Sequence, residues 1–285
     1  MREGTVEANG LRFAYVEEGE GPLVLLLHGF PDNALTWDRV MPALAEAGYR
    51  TVAPYQRGYH PTTAPADGRY DPAALGADVA ALVDALNGGE PAFVVGHDWG
   101  ASATYAAVLL HPEKVRRAVT IAIGPPGGTV RIFEHPEVLH QAFHFFLFQV
   151  PVFAEIAVRA NDFAMIDYLW NLWSPGIDDA GHIKDVKQTL AAPNGVEQAL
   201  GYYRAMLQFQ MTQPDVAQRF LTEPLGVPTM VVIGGNEPLL GRPQEGDEKF
   251  FAAEFRQEVV DGAGHFVQRE QPEELTRLIL EWVRV

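Results

Sequence analysis

The sequence predicts an α/β protein, built on a mostly parallel, doubly wound sheet with one helical insertion. Three observations predict it. Short apolar runs recur along the chain, each closed by Gly, Pro or His and separated by helix-like stretches. Several of these runs are continuously apolar, as strands buried on both faces of a parallel sheet must be. Between residues 128 and 221 the rhythm stops, and aromatic residues accumulate without a convincing strand.

Taken in order, Asn9-Gly10 between Thr5–Glu7 and Leu11–Val16 marks a tight hairpin, because both turn residues must accept positive φ. Leu23–Leu27 is a buried strand ended by His28-Gly29, and Trp37–Ala47 reads as a helix stopped by Gly48. Arg50–Ala53 and Ala92–Val95 are further strands, joined by an alanine-rich helix from Pro72 to Leu86. Val115–Ile123, Pro228–Ile233 and Phe255–Val260 complete the sheet. The expected division is a core of 1–127 with 222–285, and a helical cap of 128–221. That cap holds Phe143, Phe145, Phe146, Phe148, Trp170, Trp173, Tyr202 and Tyr203. Aromatics at such spacing fill a core, and in a cap one side of that core faces a substrate cavity.

Composition narrows the function. Of 285 residues, 21 are basic and 37 acidic, giving a net charge of −16, which repels a phosphate backbone and argues against nucleic-acid binding. No apolar run approaches the ~18 residues of a spanning helix, and the first residues do not resemble a signal peptide, so a cytoplasmic protein without a membrane partner is expected. There is no cysteine, which excludes disulfides, thiolate metal sites and a cysteine nucleophile. Serine occurs only at 102 and 174.

The scarcity of serine bears on Gly96-His97-Asp98-Trp99-Gly100, which follows an apolar strand and opens a small-residue helix. Glycines two before and two after the central residue permit the sharp strand-to-helix turn that lifts a nucleophile above the sheet. Serine usually stands at the centre; here it is Asp98. A carboxylate attacking an ester would give an anhydride, so an aspartate nucleophile suits displacement at saturated carbon. Attack opens an epoxide or expels a halide, leaving an alkyl ester that activated water hydrolyses. The base should be a histidine after the last strand, and His265 in Gly262-Ala263-Gly264-His265-Phe266 holds that place. The acid orienting it should follow the strand after the cap, where Glu237 is the first carboxylate; Glu134, past the preceding strand, is the alternative. The amides of Phe30 and Trp99 are candidates for an oxyanion hole. His28 reads as a loop-packing residue.

These three segments, His28-Gly29-Phe30-Pro31, Gly96–Gly100 and Gly262–Phe266, resemble the core motifs of the α/β-hydrolase superfamily, in its epoxide hydrolase and haloalkane dehalogenase branch. The resemblance spans nearly the whole chain and implies the α/β-hydrolase fold. Phe30 resembles the epoxide hydrolases, since dehalogenases usually carry a halide-binding Asn there. Epoxide hydrolases usually present two cap tyrosines to the epoxide oxygen. Gly195–Arg204 looks like the segment bearing the second, which implies Tyr203; counting back from Phe148-Gln149-Val150-Pro151 places His144 where the first would stand.

The expected protein is therefore an epoxide hydrolase that converts an epoxide and water to a vicinal diol, without cofactor or metal, as a monomer or homodimer. Its rivals are a haloalkane dehalogenase, with Trp99 as halide donor, and a non-catalytic ligand-binding member of the same fold.

Overall fold

The computed structural model describes residues 1–129, 136–237 and 246–284. Eight strands form one sheet in the order β1-β2-β4-β3-β5-β6-β7-β8. In chain order they are β1 (Arg2–Ala8), β2 (Leu11–Glu18), β3 (Leu23–Leu27), β4 (Arg50–Pro54), β5 (Ala92–His97), β6 (Val115–Ile121), β7 (Thr229–Gly234) and β8 (Phe255–Val260). The first two make the expected hairpin, with Asn9 and Gly10 at φ 46° and 73°. β2 also runs antiparallel to β4, and every later pairing is parallel.

The continuous apolar runs are explained by a core on each face. In β3, Leu23, Leu25 and Leu27 face one cluster while Val24 and Leu26 face the other. The first cluster is closed by α2 (Pro72–Asn87), through Leu75, Val79, Leu82 and Val83, and by α3 (Trp99–Leu110). The second is closed by α1 (Met41–Glu46), through Met41 and Leu44, and by the C-terminal helix of residues 272–283, through Leu275, Leu278, Ile279 and Trp282. Period-2 alternation thus sends successive side chains to opposite helical layers. Asp71 caps α2 by accepting from the Ala74 amide at 3.2 Å, and Pro72 opens the helix, where its missing N–H is harmless.

The helix expected over Trp37–Ala47 is instead two pieces. A 3₁₀ turn over Ala34–Trp37, capped by the Asn33 side chain accepting from the Leu35 amide at 2.9 Å, precedes the separate α1. Pro42 is the reason: without an N–H it is accommodated in the first turn of a helix, so α1 starts one residue before it.

Between β6 and β7 the described residues form helices joined by turns: α4 (Pro126–Thr129), α5 (Pro136–Gln141), α6 (Phe143–Leu147), α7 (Phe153–Trp173), α8 (Ala180–Ala191), α9 (Gly195–Thr212) and α10 (Pro214–Thr222). α7 is two helical pieces joined where Asn161, Asp162 and Phe163 take left-handed φ of 51°, 55° and 59°. In α9, Val196, Ala199, Leu200 and Tyr203 recur at helical spacing and are all buried, so this face turns inward. Two short helices end the chain, α11 (Val267–Glu270) and α12 (Pro272–Val283). Among the described residues no helix is long and apolar enough to cross a membrane.

Candidate active site

At the carboxyl end of β5 the chain reverses into α3 within one residue. Asp98 takes φ 51° and ψ −115°, a conformation that costs a non-glycine residue free energy and persists only where its surroundings enforce it. The flanking glycines make the turn possible. A Cβ on Gly96 would lie 2.1 Å from the Gly100 carbonyl oxygen, and one on Gly100 would lie 2.2 Å from the Leu27 carbonyl oxygen. Any side chain at either position would push strand and helix apart.

The elbow aims the carboxylate at two groups. Asp98 Oδ1 accepts from the Phe30 amide at 2.8 Å, and the Trp99 amide also bonds the carboxylate. Asp98 Oδ2 stands 3.9 Å from His265 Nε2. That distance is too long for a direct hydrogen bond. His265 Nε2 is buried and has no hydrogen-bond partner among the described residues. On the opposite side of the ring, His265 Nδ1 meets Glu237 Oε2 at 2.9 Å, with both side chains fully buried. Glu237 follows β7 and His265 follows β8; those strands are neighbours, so their loops converge at one end of the sheet. Glu134 lies outside the described residues.

Burial pushes the Asp98 carboxyl up from 3.8 to about 6, against the pull of the His265 charge and the Phe30 and Trp99 amides. For His265, burial works to lower the imidazole pKa, but the charge and hydrogen bond of Glu237, with Asp98 beyond, more than offset it, and the pKa is raised. Glu270 adds to that upward push. His97 packs edge-on to His265 at 4.7 Å between ring centroids and is held well below its ordinary pKa by burial, so it is neutral.

Over the carboxylate sits an aromatic wall. Tyr203 is buried and contacts Phe30 (5.3 Å between centroids), Trp99 (5.1 Å), Phe148 (5.0 Å) and His144 (5.4 Å). Burial, then the Asp98 charge, holds its phenol well above the ordinary value, so it stays protonated. The neighbouring tyrosine is otherwise engaged, since the Tyr202 hydroxyl donates to the Arg57 carbonyl at 2.8 Å. His144, in α6, is also buried, and burial lowers its pKa to about 3, leaving a neutral ring with one N–H. Trp173 stands between the two histidine rings, 4.9 Å from His144 and 5.2 Å from His265.

The structure thus brings Asp98, His265, Glu237, Tyr203, His144 and the Phe30 and Trp99 amides into one site. His28 packs the loop: its Nε2 accepts from the Gln56 amide at 3.0 Å, its Nδ1 meets the Gly29 carbonyl at 2.9 Å, and burial lowers its pKa to about 4. Sequence reasoning missed Glu270 and the position of Ser174, which hold the loop bearing His265; no local motif distinguishes either from an ordinary helix-end residue. Among the described residues no group of three or more His, Asp or Glu is arranged to hold a metal.

Residues 22–272 match the family model of the alpha/beta hydrolase fold. Over 99% of its length the chain is 30% identical to Epoxide hydrolase A of Mycobacterium tuberculosis (strain ATCC 25618 / H37Rv), covering 97% of that protein. It is 28% identical to human Epoxide hydrolase 4, over 98% of this chain and 77% of the relative. The crystal structure of Epoxide Hydrolase A from Mycobacterium thermoresistibile superposes with a TM-score of 0.84 at 27% identity, over 99% of this chain and 98% of that one.

Proposed function

The chain belongs to the α/β-hydrolase family, and from that premise we propose that it is an epoxide hydrolase working through a covalent ester on Asp98. The observation that carries the reading is the carboxylate itself. An aspartate replaces serine at the elbow, with one oxygen held by the Phe30 amide and the other 3.9 Å from an imidazole nitrogen that has no hydrogen-bond partner among the described residues. The epoxide hydrolase names of the relatives support the choice of an oxirane over a halide.

In the first step Asp98 Oδ2 attacks an oxirane carbon and the C–O bond breaks. The charge that develops on the ring oxygen meets the Tyr203 O–H and the His144 N–H, both neutral donors in an apolar wall where such bonds are strongest. In the second step His265 takes a proton from water, which attacks the ester carbon. The new oxyanion forms on Oδ1, the atom already held by the Phe30 and Trp99 amides. Collapse breaks the bond from the acyl carbon to Oδ2 as His265 returns its proton to that departing oxygen; the proton of the new carboxyl passes to the alkoxide, so the diol leaves and the carboxylate is restored.

The electrostatics suit this order. While Asp98 is ionised it raises the His265 pKa, and esterification removes that charge. The base therefore becomes easier to deprotonate at the step where it must be neutral. Glu237, buried against Nδ1, holds the tautomer whose Nε2 lone pair faces the water. In this reading the helices of 128–221 act as a cap that supplies the donors and excludes water from the alkylation step.

The deciding experiment is turnover of an epoxide such as styrene oxide, with intact-mass analysis of the enzyme. Diol formation together with a substrate-sized adduct on a His265→Gln variant is the expected result. Halide release from bromoalkanes, with no diol from any epoxide, would overturn it in favour of a dehalogenase.

A further inference from the structure

The loop carrying His265 is fastened by residues that this chemistry leaves unused. The Gly264 amide donates to both Glu270 oxygens, at 2.9 and 3.0 Å. Ser174 Oγ donates to Glu270 Oε1 at 2.6 Å and accepts from the Phe266 amide at 3.3 Å. The His265 amide itself donates to the Trp173 carbonyl at 3.1 Å. Three consecutive amides are thus satisfied, two of them by Trp173 and Ser174 at the end of α7, within the helical insertion. Packing is equally close: a Cβ on Gly264 would lie 2.6 Å from the Trp173 carbonyl oxygen and 2.8 Å from Ser174 Oγ. Beside them the Phe266 ring stacks on Trp170, with centroids 3.6 Å apart and planes within 1°.

We propose that Ser174 and Glu270 form a clamp that positions His265, so that ester hydrolysis depends on the insertion being docked against the histidine loop. Both are positioning residues, acting through the backbone on either side of the imidazole. The inference rests on the reading of His265 as the water-activating base. That ring must keep Nδ1 on Glu237 while Nε2 faces a water beside Asp98, and a displacement of about 1 Å costs on the order of 10²-fold in rate. Its placement follows from the backbone that the clamp holds.

Charge supports the geometry. The carboxylates acting on the ring are Glu237, Asp98 and Glu270, all raising its pKa, while the facing His97 and His144 are neutral. Once Asp98 is esterified, Glu237 and Glu270 remain of the three. Loss of the Glu270 charge therefore lowers the His265 pKa.

The test compares Ser174→Ala, Glu270→Ala and Glu270→Gln with wild type, by single-turnover kinetics on styrene oxide and by NMR titration of the His265 imidazole. Ester hydrolysis should fall roughly 10–100-fold in the two alanine variants, with alkylation of Asp98 near the wild-type rate. Glu270→Gln should recover part of that loss, because its amide oxygen still accepts from Gly264, and should titrate His265 at lower pH. Wild-type hydrolysis in all three, or both steps slowing together with an unchanged His265 titration, overturns the clamp. If wild type forms no ester at all, the epoxide reading fails separately. The titration then decides the clamp alone, and an unchanged His265 signal in Ser174→Ala and Glu270→Gln refutes it.

Discussion

His265 Nδ1 and Glu237 Oε2 form a fully buried pair at 2.9 Å, and the far nitrogen of the same ring has no hydrogen-bond partner among the described residues. A carboxylate that fixes the tautomer at one end of an imidazole leaves a lone pair directed from the other. Glu237→Gln removes that charge and reverses the preference at Nδ1, so turnover should fall by up to about 10⁴-fold with the fold retained. Near-normal turnover in Glu237→Gln, with an inactive Glu134→Gln, would move the orienting acid to Glu134.

Asp98→Ala should have background activity in an epoxide turnover assay, since neither serine is placed to substitute. Ser102 lies a turn inside α3, its amide donating to the Asp98 carbonyl at 3.0 Å, and Ser174 is engaged with Glu270. Retained turnover would exclude the aspartate ester.

The raised Asp98 pKa makes two pH predictions with definite signs. Alkylation needs the carboxylate, so its single-turnover rate should drop about tenfold per pH unit below about 6. A carboxyl whose pKa is higher folded than unfolded destabilises the protein above that pKa and is neutral in effect below the unfolded value. Asp98→Asn should therefore be more stable than wild type at pH 7–8, by up to about 3 kcal/mol, and show no advantage near pH 3. A melting series across pH checks it.

His265→Gln should stop the reaction after its first half and accumulate an adduct equal in mass to the epoxide. Intact-mass spectrometry reads this directly. Normal turnover without adduct would remove His265 from the hydrolytic step.

Tyr203→Phe and His144→Phe each delete one donor toward the opening oxygen. Each should slow alkylation by on the order of 10²–10³ and leave ester hydrolysis much less affected, because the proposed mechanism puts the oxyanion of that step at the Phe30 and Trp99 amides. Alkylation at the wild-type rate in both variants would favour halide over epoxide chemistry.

What the sequence determined by itself was local. Continuous apolar runs such as Leu23–Leu27 identify strands covered on both faces, because nothing but two-sided burial tolerates them. Gly96 and Gly100 announce the elbow, because no side chain fits there, and the proposed reaction class rests on the aspartate between them. The break at Pro42 is equally local, its signal a missing N–H that the sequence carries. Tertiary structure decided what depends on contacts between distant segments. Adjacent strands β7 and β8 bring Glu237 to His265, and Tyr202 turns its hydroxyl to Arg57 while Tyr203 faces Asp98. The hold of Ser174 and Glu270 on the histidine loop was beyond any sequence pattern. Hydrogen bonds between segments so far apart follow from how helices dock on the sheet, and docking is fixed by the packing of whole faces rather than by any neighbouring residue.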